Sequence, residues 1–292
     1  MKHNNYITAA LIILTVTMLY ACSKTETVTF KSPKSYMPAV KGKYIIYKLD
    51  STVTRSFGSG FVTSSYTVKD SVVDVFTDNL GRESFKIFRY QLNPSNNTWA
   101  STNTFVLTPQ ESSIEFVENN NRYIKLINPV ADGKTWKGNS FINQSPYYIN
   151  YIFSEWNYTY DKVGNSRNVG SFTFPNTVTV VQSDSNDNDI FNPYSSNFYN
   201  KGYEIYADSV GLVDKDIMSW EYQVFRHFNN CILIRPKTTG TGNDTLGVNC
   251  NDPLTNCDSL MQRPNHKIKC DTVIDRFYYN GYGIKQTILS HN

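Results

Sequence analysis

The chain has 292 residues, with 28 Lys and Arg set against 25 Asp and Glu for a formal charge of +3. That near-neutral balance, without a basic run, excludes nucleic acid as an expected partner, and the length suffices for one large domain or two small ones. Aromatic residues reach 14%, with 21 Tyr and 17 Phe, which favours strands without naming a ligand.

The N-terminus opens with Lys2 and runs apolar from Tyr6 to Tyr20. As a helix this run extends roughly 22 Å, short of the ~30 Å of bilayer hydrocarbon, so it reads as a cleaved export signal. Leu19-Tyr20-Ala21-Cys22 resembles the lipobox of bacterial lipoproteins. The resemblance implies a signal peptide over 1–21, acylation of the Cys22 thiol, and a membrane contact made through lipid. Ser23, rather than Asp, follows the cysteine, so the outer membrane is the expected address, with its leaflet left open. Residues 22–38 are polar, carry Pro33 and Pro38, and read as a tether.

From residue 39 to 292 the sequence reads as a single β-rich domain. Val68 to Phe76, the turn Thr77 to Gly81 and Phe85 to Tyr90 predict a hairpin. Ile114 to Val117, Glu118 to Asn121 and Arg122 to Ile127 predict another, with one buried and one wet face. Further strands are expected at Tyr147 to Tyr160, Ser171 to Gln182, Gly202 to Val213, Ile217 to Ile234 and Tyr282 to Leu289. Ser219 to Phe228 suits helix or strand. The expected fold is all-β, an antiparallel sandwich or partly open barrel of about ten or more strands. Glu118 to Leu126 with Trp136-Lys137-Gly138-Asn139, and Tyr206 to Val213, resemble phrases of Bacteroidota envelope lipoproteins. Since no activity is established for that group, the resemblance implies class and location only.

Four cysteines remain after Cys22: Cys231, Cys250, Cys257 and Cys270. An even count in an exported chain predicts two disulfides with the pairing open, stapling a loop-like stretch from Thr238 to Pro264 inside an insertion over 231–270. A zinc site is the weaker reading, because no Cys-x-x-Cys pair is present and His266 is the only nearby imidazole. No metal or other cofactor is expected.

The chain has no His-Glu-x-x-His, no Gly-x-Ser-x-Gly and no phosphate-cradling loop, so no catalytic residue is assigned and no enzyme is expected. A glycosidase pair would have to come from Glu115, Glu118, Glu155, Glu204 and Glu221. Asp184-x-Asn186-x-Asn188 imitates the start of a calcium loop, but Asp189 replaces the turn glycine and Ser195 the bidentate Glu. Asp followed by Ser or Thr and a small or aliphatic residue resembles the O-glycosylation acceptor of Bacteroidota exported proteins. It nominates Ser51, Ser71, Ser209, Thr245, Ser259 and Thr272. The expected role is a non-catalytic envelope module with a protein or glycan partner. The alternatives are a glycan binder beside a transporter, with Trp99, Trp136, Trp156 or Trp220 stacking on sugars, a carrier of lipid or another hydrophobic ligand, and, last, a hydrolase.

Overall fold

The computed structural model describes residues 30–55, 60–142, 156–186, 197–250 and 265–292, with only the backbone course for 185–186, 197–198, 221–229 and 272–280. The signal segment, Cys22, Glu155, Cys257 and Ser259 lie outside the described residues. The folded unit runs from Ser32 to Asn292.

It begins with one helical turn, α1 (Pro33–Tyr36), whose N-cap Ser32 accepts a hydrogen bond from the Lys34 amide. Strands β1 (Tyr44–Thr54), β2 (Phe61–Thr77), β3 (Glu83–Asn93), β4 (Thr98–Pro109), β5 (Ser113–Glu118) and β6 (Asn121–Ile127) form an antiparallel meander. A second series comprises β7 (Thr135–Trp136), β8 (Tyr158–Val169), β9 (Phe172–Asn186), β10 (Asn197–Ala207), β11 (Gly211–Pro236), β12 (Asn243–Gly247) and β13 (Lys267–His291). The sheet order is β6-β5-β4-β3-β2-β1-β13-β11-β10-β9-β8-β7, with β12 added to β11. The two ends of this path meet, so the sheet is a nearly closed barrel. At the seam the Ile124 amide donates to the Gly138 carbonyl at 2.8 Å, and the Trp136 indole donates to the Ile124 carbonyl at 2.8 Å. Tyr160 Oη completes the join by meeting both the amide and the carbonyl of Ile127.

Both predicted hairpins form. Asp78 Oδ1 accepts from the Leu80 and Arg82 amides and fixes the first turn. Asn119 and Asn120 both adopt positive φ, 51° and 62°, in the two-residue turn of the second, a conformation that asparagine tolerates better than most residues. Period-two burial sets the barrel faces. On β11, Val213, Lys215, Ile217 and Ser219 are buried, while Asp214, Asp216, Met218 and Trp220 alternate with them on the outer face. Lys48 and Lys285 are exposed on that outer wall, which therefore meets water.

The structure corrects three of these readings and decides a fourth that was open. The tether ends early: Ser32 to Met37 belongs to the folded unit, because Tyr36 is buried and donates to Asn176 Oδ1 at 2.8 Å. Gly202 to Val213 is not one strand, since Asp208-Ser209-Val210 turns the chain, with Ser209 at φ 64°. Asp208, Ser209 and Gly211 are the turn-forming residues that interrupt the apolar run. Ser219 to Phe228 is strand throughout, paired to β13. Thr238 to Pro264 is not wholly loop, because β12 pairs with Ile232 to Pro236 of β11. The strand expected from Tyr147 begins at Tyr158, and 143–155 lies outside the described residues.

Candidate functional site

Two apolar clusters occupy the core, and charged side chains lie between them. One cluster gathers Phe85, Phe105, Leu107, Leu126, Tyr158, Val178 and Val180, and the other Tyr47, Val68, Phe174, Val213 and Ile288. Cross-strand pairing sets Glu204 beside Lys215, and Lys215 beside Gln286. From the far side of the seam, a bulge between Ile114 and Glu115 turns Lys125 of β6 inward. Lys125 Nζ donates to Glu204 Oε1 at 2.7 Å, and Tyr206 Oη donates to Glu204 Oε2 at 2.7 Å. Lys215 Nζ lies 3.6 Å from Glu204 and 3.6 Å from Glu118. Nearby, Arg89 grips Asp70 with two hydrogen bonds of 2.6 Å and donates to Gln286 Oε1 at 3.0 Å.

The electrostatics of this belt are balanced: Lys125, Lys215 and Arg89 face Glu118, Glu204 and Asp70. Burial alone would raise the two glutamates, but Lys125 and Lys215 outweigh it and hold both carboxyls below their ordinary range. Burial also lowers Lys125, with the neighbouring Lys215 adding to that, whereas Glu118 and Glu204 outweigh burial at Lys215 and raise it. A glycosidase needs one carboxyl pushed up so that it can deliver a proton. Here Glu118 and Glu204 do converge, yet both are pushed down and locked in ion pairs. The arrangement cross-braces β5 and β6 to β10 and β11. Breaking such a buried pair costs about 3–5 kcal/mol, so it fixes which strands meet at the seam.

Two buried amide nitrogens, Gln182 Nε2 and Gln286 Nε2, have no hydrogen-bond partner among the described residues. Sequence reasoning nominated Glu118 and Glu204 but missed Lys125 and Lys215. The only signal available was a lysine in the otherwise apolar run Ile124-Lys125-Leu126, and one between two outward aspartates.

The other nominated residues scatter. Glu115 pairs with Arg82 and Arg122 at the barrel end, and Glu221 belongs to β11. Trp156 is buried, Trp136 packs edge-on against Tyr158, and Trp220 meets Phe61. Trp99 is half-buried on the outer wall, where Lys69 Nζ sits 4.7 Å above its ring and 5.2 Å from that of Tyr90. Asp184 and Asn186 close β9, and Asn188 lies outside the described residues. Ser51 and Ser71 lie within β1 and β2, Thr272 within β13, Ser209 is exposed in its turn, and Thr245 is exposed on β12.

Cys231 and Cys270 form a disulfide joining β11 to β13. Cys250 is disulfide-bonded as well, and the sulfurs of Cys231, Cys250 and Cys270 lie within 4.8 Å of one another. Bonded sulfurs are not thiolate ligands, so this cluster is a staple. It closes an arm. Among the described residues, barrel pairing of β11 to β10 reaches Tyr222 and that of β13 to β1 reaches Tyr282, yet β11 and β13 stay paired out to Ile234 and Lys267. The extra length is about 40 Å at ~3.3 Å per residue.

No family, curated protein or solved structure matches the chain.

Proposed function

We propose that this protein is a non-catalytic lipoprotein of the cell envelope, anchored at the outer membrane through Cys22, that works through its outer surface as an interaction module. The ion-paired belt is the observation that carries this reading. An acyl-chain carrier needs a dry apolar cavity, and the centre of this barrel holds Lys125, Glu204, Lys215 and Gln286 instead.

The geometry of entry and exit supports the same reading. The chain enters the folded unit beside the β10–β11 turn, where the Ser209 amide donates to the Ser35 carbonyl at 2.7 Å. β11 starts at that turn and carries the arm out at its opposite end. Nine residues separate Cys22 from Ser32, so a lipid on Cys22 would hold the folded unit through a short polar tether.

Radiolabelled palmitate and extraction of the purified native protein test the proposal together. Label on the wild type, its loss in Cys22→Ser, and no stoichiometric acyl ligand in the extract are the expected results. Label that survives in Cys22→Ser would overturn the anchor, and a bound fatty acid per chain would overturn the interaction module in favour of a carrier.

A further inference from the structure

We infer that the outer edge of β13 in the arm is a docking edge for an extended segment of a partner protein in which acidic and aliphatic residues alternate. This deepens the interaction-module reading by naming the partner's chemistry, and it does not depend on the lipid.

Among the described residues, β13 pairs on both edges from Tyr282 onward but only with β11 between Lys267 and Gly281. Its other edge there presents backbone donors and acceptors without a strand among the described residues, the geometry used when a peptide adds to a sheet. Lys267 and Lys269 are both exposed, and they stand two residues apart, so they share one face. Ile268 between them is half-buried on the opposite face, aligned with Leu233. Leu246 then pairs with Leu233, which makes that second face aliphatic across three strands.

A strand added beside β13 would place one residue opposite each of Lys267, Ile268 and Lys269. Opposite charges directly across a ladder stabilise by roughly 0.2–1 kcal/mol and like charges destabilise, so the lysines ask for two acidic residues with an aliphatic one between. The same lysines reject a second copy of this edge, since Lys would meet Lys; selection and protection against self-pairing are one device. The Cys231–Cys270 bond keeps the register of the edge fixed next to these positions.

The test uses the full chain and three fluorescent, end-capped nonapeptides: alternating Glu and Val, alternating Lys and Val, and the Glu/Val peptide with proline at its centre. Anisotropy titrations at low salt should show the Glu/Val peptide binding at least tenfold more tightly than either control. In Lys267→Glu/Lys269→Glu, checked for the intact disulfide by mass and for wild-type circular dichroism, preference should switch to the Lys/Val peptide. Equal binding of the first two peptides, undiminished binding of the proline peptide, no binding at millimolar concentration, or a reversed-charge variant that keeps the wild-type preference would each overturn the inference. Palmitate labelling is unaffected by any of these outcomes, so failure here is distinct from failure of the anchor.

Discussion

The barrel and the arm are built from the same two strands, yet they solve the problem of order differently. Inside the barrel, β11 and β13 each have two neighbours and bury one face against the core and the charged belt. Beyond Tyr222 and Tyr282 they have only each other among the described residues until the five-residue β12 joins β11 at Ile232 to Pro236, and a ribbon of two strands is marginal in water. The arm instead carries a covalent cross-link that closes a loop of 39 residues, stabilising it by about 4 kcal/mol in the chain-entropy account. One region is held by burial and ion pairs, the other by sulfur.

The largest blow to the barrel alone is Lys125→Met. It strands the Glu204 carboxylate without its 2.7 Å donor, and the expected loss in urea unfolding is about 3–5 kcal/mol. Lys125→Met/Glu204→Met should recover most of that loss, since no charge is then left unpaired. A double variant as unstable as the single one would break the claim that the pair is the cause.

Gly281→Ala strikes the junction. Gly281 has φ 149°, and an added Cβ would lie 2.1 Å from the Ser219 carbonyl oxygen. Strands must part there, at a cost of about 1–3 kcal/mol. Thermal melts should fall accordingly, and pairing at Trp220 should loosen first; an unchanged melting temperature would remove the junction from the account.

Acid titration sharpens the comparison further. Glu118 and Glu204 have folded pKa values below those of the unfolded chain, so their contribution is complete above about pH 4.3 and is lost as the pH falls through the lower folded values. Barrel unfolding followed from pH 5 downward should therefore weaken, and Glu204→Gln should flatten that limb. A limb of unchanged slope in Glu204→Gln would contradict the assignment. Smallest is Asn120→Ala, where the left-handed backbone at φ 62° should cost roughly 1 kcal/mol, read in the same urea experiment.

Much of the barrel was legible before any coordinates. Alternation along Phe85 to Tyr90 and Arg122 to Ile127, with Asp-Asn and Asn-Asn turns between, contains both hairpins but not the bulges that shift their registers between Val72 and Asp74 and between Ile114 and Glu115. The belt was not legible, because Lys125, Lys215 and Glu204 come from β6, β11 and β10, and only closure of the sheet brings them together. Lysine in a strand normally marks the wet face, so residue type pointed the wrong way at the two positions that brace the seam. The arm was half legible: its cysteines announced a staple, but nothing local distinguishes the residues of β11 before Tyr222 from those after it.

Hydrogen exchange with and without a dithiol reductant tests the division of labour most directly. Reduction should strip protection from the arm amides of Val224 to Leu233 and leave that of Leu126, Val178 and Val180 in the barrel unchanged. Simultaneous loss in both regions, or an arm that stays protected after its disulfides are cut, would contradict it.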